Sequence, residues 1–135
     1  MANPYAKYTN NKVFTASKEE LVLMLYDGGL KFCNQAIIAL ENKEFDKVNT
    51  AVGRVQDIIR EFQVTLDRSY EISESLLLLY DYIHDKLIEA NLKKDKEILE
   101  EVRNLLRDLR DTWKEAMEIA KKERDSKPSG KVLSV

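Results

Sequence analysis

Seven apolar side chains, Phe45, Val48, Val52, Val55, Ile59, Phe62 and Leu66, follow one another at steps of three and four residues. Only an α-helix returns such positions to one face, so Lys43 to Asp67 is expected to form a helix with one buried seam. Two later seams have the same rhythm: Ile72, Leu76, Leu79, Ile83, Leu87 and Ala90, then Ile98, Val102, Leu105, Leu109, Thr112, Ala116 and Ile119. The two prolines, Pro4 and Pro128, lie outside these seams, so no proline interrupts residues 18–124.

A further helix is expected from about Lys18 to Glu41. Ser17 and Glu20 have the reciprocal spacing of a capping box, in which each side chain satisfies an orphan backbone amide at the helix start. The breaks between helices fall at Asn42, at Asp67-Arg68-Ser69 and at Asn91 to Asp95, with Asp95 placed to cap the last helix. Connections this short make consecutive helices antiparallel. The expected fold is therefore all-α, an antiparallel up-and-down four-helix bundle over residues 17–125. Residues 1–16 precede it as an N-terminal segment, and residues 126–135 read as a flexible tail.

Composition narrows the function. A chain of 135 residues is one domain by size and can bury a core without disulfides or metals. Its 22 basic and 24 acidic side chains leave a net charge of −2 with no single-sign block, which argues against a nucleic-acid partner. No apolar run approaches the roughly 20 residues of a membrane span, and no secretory leader is legible, so the expectation is a cytoplasmic protein without membrane insertion. The single cysteine, Cys33, fits a reducing compartment.

Catalytic constellations are thin. The only histidine, His84, follows Asp81 by three residues, but a di-iron bundle needs two such pairs. Cys33 has no histidine near it in sequence, and Gly28-Gly29 lacks the lysine of a phosphate-binding loop. Neither an enzyme nor a cofactor or metal site is expected. Gly28-Gly29 instead costs helix stability, about 1 kcal/mol per glycine, and close packing of a neighbouring helix is the favoured compensation over a notch for a guest side chain.

The first helix carries more apolar surface than one seam uses. With Val22, Leu25, Gly29, Phe32, Cys33, Ala36 and Leu40 turned inward, Leu23, Leu30 and Ile37 fall on another flank, at about 100° per residue. Similar surplus positions are Ala51 and Ile58, Leu77 and Tyr80, and Leu99, Leu106 and Trp113. From azimuth alone, Leu23, Leu30, Ile37, Ala51, Ile58, Leu77 and Tyr80 are expected to line a partner-binding groove on the outside of the bundle. Wide core faces account for most of the surplus, and homodimerisation is the alternative use of the rest.

Several segments in fixed order carry a family likeness: Asn3-Pro4-Tyr5 with Tyr8, Thr15-Ala16-Ser17, and Leu23-Met24-Leu25-Tyr26-Asp27-Gly28. They continue through Asp57-Ile58-Ile59-Arg60-Glu61 to Leu66-Asp67, Glu71-Ile72, Leu79-Tyr80-Asp81-Tyr82, Leu87-Ile88-Glu89-Ala90-Asn91, and Leu105-Leu106 to Trp113. Over roughly residues 3–120 the chain resembles the FliS family of flagellar secretion chaperones. It departs from the family pattern at Arg68-Ser69-Tyr70, where glycines are common, and at Gly29, where a small alanine is usual.

The resemblance implies a cytoplasmic chaperone that binds the disordered C-terminal segment of flagellin in apolar grooves. Premature polymerisation is thereby prevented, and the client is delivered to a component of the flagellar type III export gate. It further implies an N-terminal segment that covers a groove when no client is present, which gives Tyr5, Tyr8 and Phe14 the role of a displaceable plug.

Overall fold

A computed structural model of the chain describes residues 17–126, and these form four helices. Helix α1 spans Lys18–Glu41, α2 Phe45–Thr65, α3 Ser73–Lys93 and α4 Lys96–Asp125. Helix α1 has the expected bounds, while α2 is two residues shorter at each end than Lys43 to Asp67. The capping box is present: the Glu20 amide donates to Ser17 Oγ and the Ser17 amide to Glu20 Oε1, each at 3.1 Å. Asp95 caps α4 by accepting from the amides of Glu97 and Ile98.

Two of the three connections end in a backbone turn that the glycine rule does not reveal. Lys43 and Lys94 both adopt positive φ, 59° and 52°. Their placement lets the Glu44 amide reach Ala39 O and the Asp95 amide reach Ala90 O, closing α1 and α3 as glycine commonly does at helix ends. Lys94 is further tied by its Nζ, which donates to Asn49 Oδ1, Asn91 O and Asn91 Oδ1. The longer connection, residues 66–72, is shaped by Asp67, whose Oδ1 accepts from both the amide and the hydroxyl of Ser69.

Helix α1 packs beside α2 and α4, and α3 completes the ring by packing on the other flanks of the same two helices. Cross-bundle pairs fix the directions. Lys96 at the start of α4 bridges Glu41 at the end of α1, and Trp113 Nε1–H donates to Glu19 O near the start of α1. Lys94 at the end of α3 reaches Asn49 near the start of α2. The fold is thus the expected antiparallel bundle.

Its core holds Phe32, Cys33 and Ala36 from α1, Val48, Val52, Val55 and Ile59 from α2, Ile83, Leu87 and Ala90 from α3, and Leu99, Val102 and Leu106 from α4. Burying a side chain such as Ile59 or Leu106 contributes about 1.5–3 kcal/mol, and these seams supply the driving force for the fold. On α4 the fully buried stripe is Leu99, Val102 and Leu106, while Ile98, Leu105 and Leu109 of the expected seam are only half-buried. The helix is wedged between α1 and α3, so its inward arc is wider than one seam and is centred between the two rows.

Gly29 illustrates close packing. A Cβ at this position would lie 3.4 Å from Leu106 Cδ1 and 3.9 Å from Ile58 Cγ2, so α4 and α2 both press on the bare backbone of α1. No helix among the described residues is long and apolar enough to cross a membrane.

Candidate functional site

At the end of the bundle where α1 and α3 begin and α2 and α4 finish, the helices do not close. A cavity of about 520 Å³ lies there, lined by Val22 and Tyr26 of α1, Phe62 of α2, Leu76 and Tyr80 of α3, and Leu109 and Trp113 of α4. The connection 66–72 forms its lip with Leu66, Tyr70 and Ile72, and Asp67 supplies a carboxylate at the rim. Hydrogen bonds from Ser69, first through its hydroxyl and then through its amide, hold the Asp67 carboxyl below the usual carboxylate range, so the rim is anionic at neutral pH.

The opening follows from the sequence of α3. Its C-terminal half buries Ile83, Leu87 and Ala90, but from Ser73 to Leu79 only Ser73 is buried. Leu76, Leu77 and Leu79 are half-covered, and Ile72 and Tyr70 stand exposed by 63% and 66%. Helix α4 raises one wall above this mouth. Since Trp113 already pairs with Glu19 at the first turn of α1, Lys114 to Asp125 run past that helix by about 18 Å at 1.5 Å per residue. Trp113, Ala116, Met117 and Ala120 recur at helical spacing along this extension and continue the apolar wall.

The floor is aromatic. Phe62 stands between Tyr26 and Tyr80, with ring centroids 4.5 Å and 5.3 Å away, and the two phenol oxygens meet at 2.8 Å. Burial first, and then the hydrogen bond to Tyr80, push the Tyr26 hydroxyl above the ordinary phenol range; burial does the same for Tyr80. Both stay protonated at any physiological pH. Nothing here resembles an acid, base or nucleophile poised for chemistry. Cys33 is buried, its Sγ donating to Leu99 O at 3.3 Å, and burial pushes its thiol up to about 12. Among the described residues no three of the His, Cys, Asp and Glu side chains come close enough to hold a metal ion. What the arrangement offers is shape and apolar surface.

Of the seven groove residues expected from azimuth, only Tyr80 lines this cavity. The expectation that the surplus stripe lies on an outer flank fails for most of it. Leu30 and Ile37 are 8% and 5% exposed, Ile58 is 3% exposed, and Ala51 is buried as well, while Leu23 and Leu77 are half-buried. The cause is the second neighbour of α1. Glu41, at the azimuth of Leu23, and Asp27, about 40° beyond it, reach across to Lys96 and Arg110 of α4, so the flank that carries Leu30 and Ile37 is roofed by that helix. Ala51 borders a shallower, more charged groove of about 490 Å³ between α1 and α2, beside Gln35, Glu44, Lys47 and Arg54. Tyr5, Tyr8 and Phe14 lie outside the described residues.

Sequence reasoning missed Val22, Tyr26, Phe62, Leu66, Leu76 and Leu109, all read as seam or left unassigned. Their spacing is that of core residues, and they are core-facing; the signal for a cavity was the run of leucines and aromatics at helix ends, where no further turn covers them.

The family model for the flagellar protein FliS matches residues 1–120. The flagellar secretion chaperone FliS of Bacillus subtilis is 43% identical over 122 residues, covering 90% of this chain and 92% of that protein. Its namesake in Escherichia coli is 32% identical over 78% of this chain and 79% of its own length. A flagellar secretion chaperone FliSB of Pseudomonas aeruginosa is also 32% identical, over 76% of this chain and 82% of its own. A match of this extent makes the chain a member of the FliS family of flagellar secretion chaperones.

Proposed function

We propose that this chain is a cytoplasmic export chaperone that holds the disordered C-terminal segment of flagellin, with part of the segment seated in the cavity at the open end of the bundle. The observation that carries the reading is the mouth itself, a recess of about 520 Å³ walled by side chains of all four helices and left open by the described residues. Family membership supplies the client class and the reason for holding it. A segment covered in this way cannot polymerise, and it stays unfolded enough for a type III export gate component to accept it.

Magnitudes set the extent of the contact. Ordering a disordered guest costs about 2–5 kcal/mol, whereas each well-buried apolar side chain returns about 1.5–3 kcal/mol. Two or three anchors return about 3–9 kcal/mol, which the ordering and the roughly 4–15 kcal/mol of lost translational and rotational freedom together consume, so useful affinity requires the guest to continue over further surface. The apolar extension of α4 and the exposed Leu78, Ile88 and Leu92 along the outside of α3 are available for it. Residues 1–16 enter α1 at Ser17, beside the recess, and the plug reading assigns Tyr5, Tyr8 and Phe14 to cover it before the client arrives.

Calorimetry with a synthetic peptide of the organism's flagellin C-terminus tests both parts. One-to-one binding by the full chain, tightened by deletion of residues 1–16, is expected. Absence of binding refutes the client assignment, and loss of binding on deletion makes the segment part of the site instead of a plug. A second reading, weak self-association, rests on Leu78 and Leu92, which are 71% and 81% exposed on one face of α3. Sedimentation without peptide decides it: a concentration-dependent dimer supports it, and a monomer throughout removes it.

A further inference from the structure

The recess is mostly apolar, with Thr65, Asp67, Ser73 and Thr112 among its lining, and the phenol pair on its floor has an unspent donor. Tyr26 and Tyr80 are each 4% exposed, and both line the cavity. Two phenols carry two O–H groups, yet the single 2.8 Å contact between their oxygens uses only one of them. Among the described residues neither hydroxyl has another partner, so one O–H is left without an acceptor at the floor of the site. A guest that fills the recess displaces the solvent that can serve this O–H, and an apolar group in its place leaves the donor unmatched.

Its position is not adjustable. Phe62 stacks against Tyr80 and leans on Tyr26, which prevents either ring from swinging its oxygen out to solvent. The charge pattern also limits what can enter. Asp67 places a carboxylate on the rim, and no Lys or Arg among the described residues lines the recess to balance a second anion.

Building on the client assignment above, we propose that the Tyr26–Tyr80 pair is the specificity element of the site: it selects a guest segment that brings an uncharged hydrogen-bond acceptor, a backbone carbonyl or a side-chain amide oxygen, to the floor among its apolar side chains. A purely hydrocarbon contact leaves the phenol unmatched, and a carboxylate is opposed by the apolar walls and by Asp67. Shape alone would accept any greasy segment; the phenol pair adds a polar criterion, and a buried polar criterion discriminates more strongly than one extra methylene.

The test compares the full chain with Tyr26→Phe, Tyr80→Phe and the double variant, with Tyr82→Phe on the outer face of α3 as control. Circular dichroism confirms folding, and calorimetry with the flagellin C-terminal peptide reads affinity. The double variant keeps the shape of the floor and loses both donors, so its affinity is expected to fall about tenfold while that of the control is unchanged. Each single variant retains one O–H for the guest and is expected to lose less than the double. A double variant within about threefold of the parent overturns the proposal, as do two single variants that each lose as much as the double. Failure of the parent to bind the peptide sinks the client assignment and this inference together, whereas unchanged binding by the double variant sinks this inference alone.

Discussion

Ala116→Asp separates folding from binding at a residue the recess uses and the core does not. Ala116 is exposed on the extension of α4 and lines the cavity. In the free chain the substitution costs helix propensity, about 0.7 kcal/mol. Against a domain stability of about 5–15 kcal/mol that is a shift of a few degrees in Tm. With a guest in place, the new carboxylate faces apolar side chains and Asp67. Desolvating it without a partner costs about 2 kcal/mol or more, a loss of at least thirtyfold in affinity. Thermal melting and calorimetry with the flagellin peptide read the two effects on one sample. Ile58→Asp is the contrast. Ile58 is 3% exposed beside Gly29, so the change opens a cavity and buries an unpaired charge, about 5 kcal/mol or more, and the chain should unfold. A folded Ile58→Asp chain that fails to bind, together with a folded Ala116→Asp chain that binds normally, would refute the placement of the site and return it to the azimuthal groove.

Two further outcomes follow from the packing. Gly53 sits inside α2 with nothing within 4 Å of where a Cβ would be, so Gly53→Ala should stabilise the chain by about 0.5–1 kcal/mol in urea unfolding; destabilisation would show that the bare backbone there has a packing role. Cys33, Tyr26 and Tyr80 hold their protons more tightly folded than unfolded, so their contribution is complete below about pH 9 and is lost as pH rises and the unfolded chain ionises first. Stability should therefore decline above pH 9, and iodoacetamide should alkylate native Cys33 far more slowly than the urea-unfolded chain; equal rates would contradict its burial.

Much of the bundle was legible because its information is local. Seams such as Val48 to Phe62 state a helical period, and Ser17, Glu20 and Asp95 state where helices start. Two features were not local. Lys43 and Lys94 occupy left-handed positions usually read from glycine, so the loop geometry was invisible to that rule. The expected outer groove is not formed by Leu30 and Ile37 for a reason of scale: azimuth on α1 says how far Leu30 lies from Phe32, but not how many neighbours α1 has. With α2 and α4 both against it, the buried arc is wide enough to take in Leu30 and Ile37. Conversely, Leu76 and Leu109 have core spacing yet border a recess, because covering them depends on how far a neighbouring helix extends, which no pattern within their own helix encodes.

Trp113 is the single tryptophan of the chain, half-buried in the wall of the recess with its indole N–H bound to Glu19 O. Titrating the unlabelled chain with the flagellin C-terminal peptide while exciting tryptophan reports on that wall alone, provided the peptide contains none. A saturable blue shift, with the same midpoint as calorimetry, is the predicted result; calorimetric binding that leaves the emission of Trp113 unchanged would place the guest elsewhere on the bundle.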